Sequence, residues 1–475
     1  MDVTYDVIIV GGGIAGLSTA VRCTELDLKP IVLEKGKPAD YPCNARFSGG
    51  IVHVAEKEMR APEADILAKI DHLTDGVGSV DLAAIMAADA EKALDWLRGN
   101  GAKFIKGGAI ELMRWVLAPP RRRRPGLDWQ GRGPDMLLRN LTAKMEAGGG
   151  TLERGVRGTA LLQEAGKVVG LRATHGDQDV EFRSRAVVIC DGGFQGDPEL
   201  VRRFISPRPD ALFTRGAGTG CGDGLRMAEA LGAQLIGTDR FYGHLLGRET
   251  FDNEKLWPYP TVDAIARASI LVDGAGNRLF DEGRGGIYLA NEIAKLDDPL
   301  TISVVFDDAV WNGLAADNRY PPCMNPAFVN EGGTVYEADS LEALAAQINV
   351  PGEALAMTVA AFNNALKGGA LASLNPIRTT DVVPAHPIKT PPFHAIELCA
   401  GITYTMGGLA IDAQSRALDT AGAPIAGLYA AGSATGGIEG GPNAAYLGGL
   451  SKAVITGLRA AECIAESSAI MWNSP

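Results

Sequence analysis

The chain opens with a continuous apolar run, YDVIIV, then glycines, then IAGLSTAVRCTEL with apolar residues at helical spacing, then a second short apolar run, KPIVLEK. This pattern predicts strand, turn, helix and strand, a βαβ unit. Two further apolar runs also end in glycines: RAVVIC, and late in the chain GLYAA, which precedes the helical stretch GLSKAVITGLRAAECIAE. Three strands running into glycine turns imply one nucleotide site assembled from distant segments. Between about 236 and 394 the texture changes, with prolines and aromatics concentrated in LWPYP, RYPPCMNP, VVPAHP and KTPPFHA. The expected fold class is α/β, a discontinuous Rossmann-like dinucleotide-binding domain in 1–235 and 395–475 with an inserted α+β capping domain in 236–394.

Composition narrows the function classes. Apolar residues make up 46% and charged residues 21% of 475, a globular balance rather than a disordered one. The net charge of −12 gives no electrostatic reason to expect nucleic acid or an anionic membrane as partner. The longest apolar stretch, VIIVGGGIAGLSTAV, is broken by glycines and falls short of the ~20 residues of a bilayer span, so no membrane span is expected. Seven scattered cysteines without a C-x-x-C pair or a Cys/His cluster read as reduced thiols, with no metal site. With two acids before the first apolar run, MDVTYD lacks the basic start of a signal peptide, and the expected location is cytoplasmic.

The 60 glycines are the compositional excess, and they gather between apolar runs. Gly11-Gly12-Gly13-Ile14-Ala15-Gly16 fits G-x-G-x-x-G directly after a strand and at a helix start. Gly11 allows the tight turn, Gly13 lets backbone approach a pyrophosphate, and Gly16 permits close helix packing, with the helix N-terminus facing the anion. Glu34 closes the second strand, where an acid accepts hydrogen bonds from ribose hydroxyls. These features predict a dinucleotide site without choosing between NAD and FAD.

YDVIIVGGGIAGLSTA, NARFSGGIVHVA, AVVICDGGF, and TMGGLAID with GLYAAGSATGG, in that order, resemble the flavoprotein family of fumarate reductase and succinate dehydrogenase. The likeness is greatest to its soluble branches, which include tricarballylate and 3-ketosteroid dehydrogenases. It implies FAD as cofactor. By that resemblance Gly11, Gly13, Gly16 and Glu34 hold the ADP half; Asn44, Ser48, Gly49 and Gly50 lie along the isoalloxazine; and Gly432, Leu447 and Gly449 lie near the ribityl chain and flavin carbonyls. For Asn44 the alternative is an ordinary turn residue. Relatives with covalent FAD attach it through a histidine after the first βαβ unit; CNARFSGG has none, so non-covalent FAD is expected.

The resemblance also implies hydride transfer at the flavin paired with proton transfer by a positioned side chain. Fumarate reductases carry a histidine where Tyr404 stands and an arginine where Tyr446 stands. Their further acid-handling arginine falls where this chain has Gly285, Gly286 and Ile287, with Arg284 out of register. A dicarboxylate clamp is therefore not expected. A tyrosine before a glycine pair is instead similar to the ketosteroid dehydrogenases, so Tyr446 is the leading catalytic candidate, a neutral donor to a developing enolate oxygen. Tyr404, His244 and Arg284 are the other candidates, the last two from FYGHLLGRE and DEGRGGIYLAN. Arg121 to Arg124, between prolines, read as an extended solvated loop, the alternative being a loop at the mouth of the site that draws in an anionic substrate. The expected function is dehydrogenation or reduction of a C–C bond next to a carbonyl of a small-molecule substrate, with an external electron acceptor or donor. The alternatives are a fumarate reductase-like reductase of an unsaturated carboxylate and a flavin electron-transfer subunit.

Overall fold

The computed structural model describes residues 5–119, 129–317, 324–380 and 384–472. The Arg121 to Arg124 loop lies outside the described residues. The apolar runs singled out above become the middle of a six-stranded sheet. Its order is Arg416–Leu418, Pro424–Ala430, Ala186–Ile189, Val7–Val10, Pro30–Glu34, Thr151–Arg154. All neighbours are parallel except the first pair. Val7, Ile8, Ile9 and Val187 to Ile189 are fully buried, as strands covered on both faces require. The helices Ile14–Glu25 and Gly449–Trp472 pack against each other beside this sheet. Gly457 permits their approach, since a Cβ there would lie 2.9 Å from the Ala15 carbonyl.

A second sheet is organised around the thirteen-residue strand Phe393–Thr405. Phe241–Gly247, Ser303–Asp307 and Tyr336–Ala338 pair with it antiparallel, Leu212–Thr214 pairs with it parallel, and Ile270–Val272 lies beyond Ser303–Asp307. The sheet thus draws on chain at both sides of the proline-rich segment 236–394. Its own core contains Phe241, Leu245, Phe306, Leu289 and Leu398, separate from the core of the first sheet.

One irregularity positions the site. Phe241–Gly247 and Phe393–Thr405 bring Tyr242 opposite Tyr404, and a bulge follows between Tyr242 and Gly243. Gly243 is needed there because a Cβ would come within 2.1 Å of the Gly401 carbonyl. No helix among the described residues is long and apolar enough to cross a membrane.

Candidate active site

One continuous cleft runs from the first glycine turn to the end of Phe393–Thr405. At one end Gly11 adopts φ +104°, with a would-be Cβ 2.7 Å from the Cys190 carbonyl, while a Cβ on Gly16 would lie 2.0 Å from the Gly11 carbonyl. A Cβ on Gly13 would meet nothing within 4 Å, so its bare backbone faces open cleft. No side chain caps the helix that begins at Ile14, and its first N–H groups are available to an anion.

Glu34 is buried at the strand end, where Oε2 accepts from the Gly12 N–H at 2.8 Å and Oε1 from the Gly36 N–H at 2.7 Å. Each oxygen retains a lone pair for a hydroxyl donor. Burial raises the pKa of this carboxyl despite those two bonds. Lys35 and Arg157 share Asp223 nearby, at 3.3 and 2.6 Å. Asp191 accepts from the Gly224 N–H at 2.7 Å, and burial raises its pKa to about 6. Open backbone at a helix start, a carboxylate across from it and a long cleft fit the ADP portion of FAD.

Further along, Asn44, Ser48, Gly49 and Gly50 line the same cleft. The Asn44 amide is engaged on both sides, donating to the Thr403 carbonyl at 2.8 Å and accepting from the Ala217 N–H at 2.9 Å, so it joins two walls. Ser48 donates to the Ala45 carbonyl at 2.8 Å. Gly449 also lines the cleft, whereas Gly432 and Leu447 stand behind the lining. Gly432 is held by Thr456 at 3.0 Å, and the Leu447 N–H donates to Glu439 at 3.1 Å.

The far end is walled by tyrosines. Tyr242 and Tyr446 stack with centroids 4.0 Å apart, and Tyr404 lies 5.5 Å from Tyr242. The Tyr446 oxygen accepts from the Gly449 N–H at 3.3 Å, which leaves its own hydrogen for a ligand. Burial raises its phenol pKa, nearby Glu439 adds to the rise, and the Gly449 N–H opposes it. Tyr446 is neutral at physiological pH. The Tyr404 hydroxyl instead donates to Glu439, at 3.0 and 3.1 Å to the two oxygens, and Glu439 pairs with Lys452 at 2.6 Å in full burial. Tyr404 therefore presents its ring to the cleft while its proton is committed to Glu439.

His244 and Arg284 do not line the cleft. His244 sits behind Tyr242, with Nε2 3.0 Å from the Tyr242 hydroxyl. Arg284 is exposed, bonded to Asn443 and stacked over Tyr288 at 4.4 Å. Arg215 was not anticipated from the sequence. Its guanidinium, on a residue only 6% exposed, lines the cleft and donates to the Pro258 carbonyl at 3.0 Å and the Thr403 hydroxyl at 3.0 Å. Both acceptors are neutral, and among the described residues no carboxylate pairs with it. His53 packs edge-on to Tyr446 at 5.4 Å; burial lowers its pKa to about 4, so it is a neutral neighbour.

The FAD binding domain family matches residues 6–448. The chain belongs to that family. It is 30% identical to 4-oxocyclohexanecarboxylate 2-dehydrogenase of Sinomonas cyclohexanicum over 91% of this chain and 88% of that protein. It is 24% identical to vinyl phenol reductase of Lactiplantibacillus plantarum, covering 93% and 92%. Its fold is shared with 3-ketosteroid-Δ4-(5α)-dehydrogenase of Rhodococcus jostii, at TM-score 0.73 and 20% identity, with 98% and 97% covered. The protein is an FAD-dependent oxidoreductase, and the resemblance to soluble branches of the fumarate reductase flavoproteins holds.

The buried Glu439–Lys452 pair supports both Tyr404 and Leu447. Lys452→Met leaves an unpaired buried carboxylate and is expected to destabilise the protein by about 3–5 kcal/mol. Urea unfolding followed by circular dichroism checks this, with an unchanged midpoint counting against it.

Proposed function

We propose that this oxidoreductase adds or removes hydrogen across a C–C bond adjacent to a ketone, with FAD held non-covalently and an external partner exchanging the electrons. In this reading Gly11, Gly13, Gly16 and Glu34 hold the ADP half, and Asn44 to Gly50 with Gly449 hold the ring, with Gly432 and Leu447 supporting from behind. The second sheet closes the cleft from the other side. When bound, the flavin supplies the two-electron redox chemistry next to this wall.

The observation that carries the reading is the neutral phenol of Tyr446. Its oxygen is held by the Gly449 N–H, and its own hydrogen is left to donate to a ligand carbonyl in the cleft that the residue lines. A preorganised donor of this kind stabilises an enolate oxygen as charge develops. Tyr242, stacked on it, sets a second hydroxyl on the same wall to exchange a proton with the carbon next to that carbonyl. The relative from Sinomonas is named for a cyclic ketone, which supports the same class.

Arg215 favours a refinement. A buried guanidinium facing a ligand cleft with neutral partners alone is stabilised by an anionic ligand. Three of its five N–H groups are used, and two remain for a carboxylate. A substrate bearing one carboxylate besides its ketone or C=C bond fits this wall, and the reductase of an unsaturated acid remains the second reading.

Acid precipitation is expected to leave a colourless pellet with free flavin in solution; a yellow pellet would contradict non-covalent attachment. In Tyr446→Phe, flavin content is expected to stay normal while the single-turnover rate of flavin bleaching by a responsive ketone falls ~10²- to 10³-fold. A wild-type rate would remove Tyr446 from the mechanism. Arg215→Gln is expected to weaken binding of 4-oxocyclohexanecarboxylate by about 1.5–3 kcal/mol while leaving that of cyclohexanone unchanged. Equal losses for both ligands, measured by titration, would refute the anion-holding role.

A further inference from the structure

Three side chains outside the glycine motifs form a continuous hydrogen-bonded line leading out of the cleft. Tyr242 and His244 are two residues apart on the strand Phe241–Gly247 and share one face of it. The Tyr242 hydroxyl lies 3.0 Å from His244 Nε2, and His244 Nδ1 is hydrogen-bonded to Asp263 Oδ2. The second Asp263 oxygen accepts from the Leu245 N–H at 2.9 Å, which fixes the carboxylate. Gly286 makes room for that carboxylate, since a Cβ there would lie 2.2 Å from it. Only Tyr242 of the three lines the cleft, while the His244 and Asp263 side chains remain 15% and 18% exposed. With its Nδ1–H directed to Asp263, the imidazole presents the Nε2 lone pair to the phenol.

We propose that His244 and Asp263 form a proton relay that carries the proton exchanged by Tyr242 between the substrate carbon and the solvent. The proposal rests on the ketone reading of the function. In the dehydrogenating direction the C–H bond next to the carbonyl breaks and its proton passes to the Tyr242 oxygen as the phenol's own proton passes to His244 Nε2. The electron pair left behind becomes the enolate, whose oxygen Tyr446 hydrogen-bonds. The imidazolium, held by the Asp263 charge, then releases its proton to water. The three residues move a proton and no electrons; the oxidant is the flavin.

His244 and Asp263 are positioning residues, and their test is chemical rescue. The holoenzyme is mixed with 4-oxocyclohexanecarboxylate or cyclohexanone and flavin bleaching is followed in a single turnover. His244→Ala is expected to be slowed ~10²-fold and restored by added imidazole, whereas Tyr242→Phe is slowed ~10²- to 10⁴-fold and does not respond to imidazole. Asp263→Asn, which keeps an acceptor for the Leu245 N–H, is slowed at least ~10-fold. Apart from turnover, the His244 Nδ1 proton is expected far downfield in NMR spectra of wild type and Tyr242→Phe, and shifted back in Asp263→Asn. His244→Ala at the wild-type rate, or slowed with flavin absorbance intact and unmoved by imidazole, overturns the relay. A wild-type holoenzyme bleached by neither ketone overturns the proposed function and the relay with it.

Discussion

The antiparallel register between Phe241–Gly247 and Phe393–Thr405 is the constraint on which the substrate end depends. It sets Tyr242 against Tyr404, and the bulge that follows, made possible by Gly243, re-aims the strand without breaking the pairing. Tyr404 is tied in turn to the long C-terminal helix through Glu439 and Lys452. Tyr446, just before that helix, closes the group by stacking on Tyr242. A one-residue slip would turn Tyr242 to the opposite face of the sheet and separate it from Tyr446 and His244.

Charge is distributed unevenly along the cleft, and the distribution separates two tasks. The glycine end mixes Glu34, Asp191 and Asp223 with Lys35 and Arg157, a set suited to hydroxyls and phosphates at once. At the other end the groups with open hydrogen-bonding capacity are neutral phenols and one guanidinium. Burial keeps Tyr242, Tyr404 and Tyr446 protonated, so these phenols donate without bringing a negative charge to the cleft wall. Proton chemistry there needs an outlet, because a buried phenolate has no water to stabilise it, and His244 stands where that outlet begins.

The glycine-lined end of the cleft was legible as strands and turns because its constraints are local. Apolar runs ending in glycines mark the strands, and the Gly11 to Gly16 spacing with Glu34 requires only one βαβ unit to acquire meaning. Asn44 was legible as a position but not as a role, since its partners Thr403 and Ala217 are remote in sequence. The second sheet was harder to read. Proline-rich texture marked the segment 236–394, yet the strand that organises the sheet, Phe393–Thr405, is buried along most of its length and carries no sign of its partners. Arg215 could not be found by motif, because a buried cation is recognised only by what surrounds it. Arg284 attracted attention through neighbouring residues in the sequence, while its actual neighbours, Asn443 and Tyr288, keep it at the surface.

The tyrosines show why identity at a position is weaker information than the bond each hydroxyl makes. Tyr404 is buried and Tyr446 half-buried, and both line the cleft. Tyr404 gives its hydrogen to a carboxylate already neutralised by Lys452, so a carbonyl would have to compete with a charge-assisted bond. Tyr446 receives a hydrogen from Gly449 and keeps its own, so a carbonyl in the cleft meets an uncommitted donor. Two residues of one type, 42 positions apart in the sequence, thus divide into a wall and a donor through the direction of a single hydrogen bond.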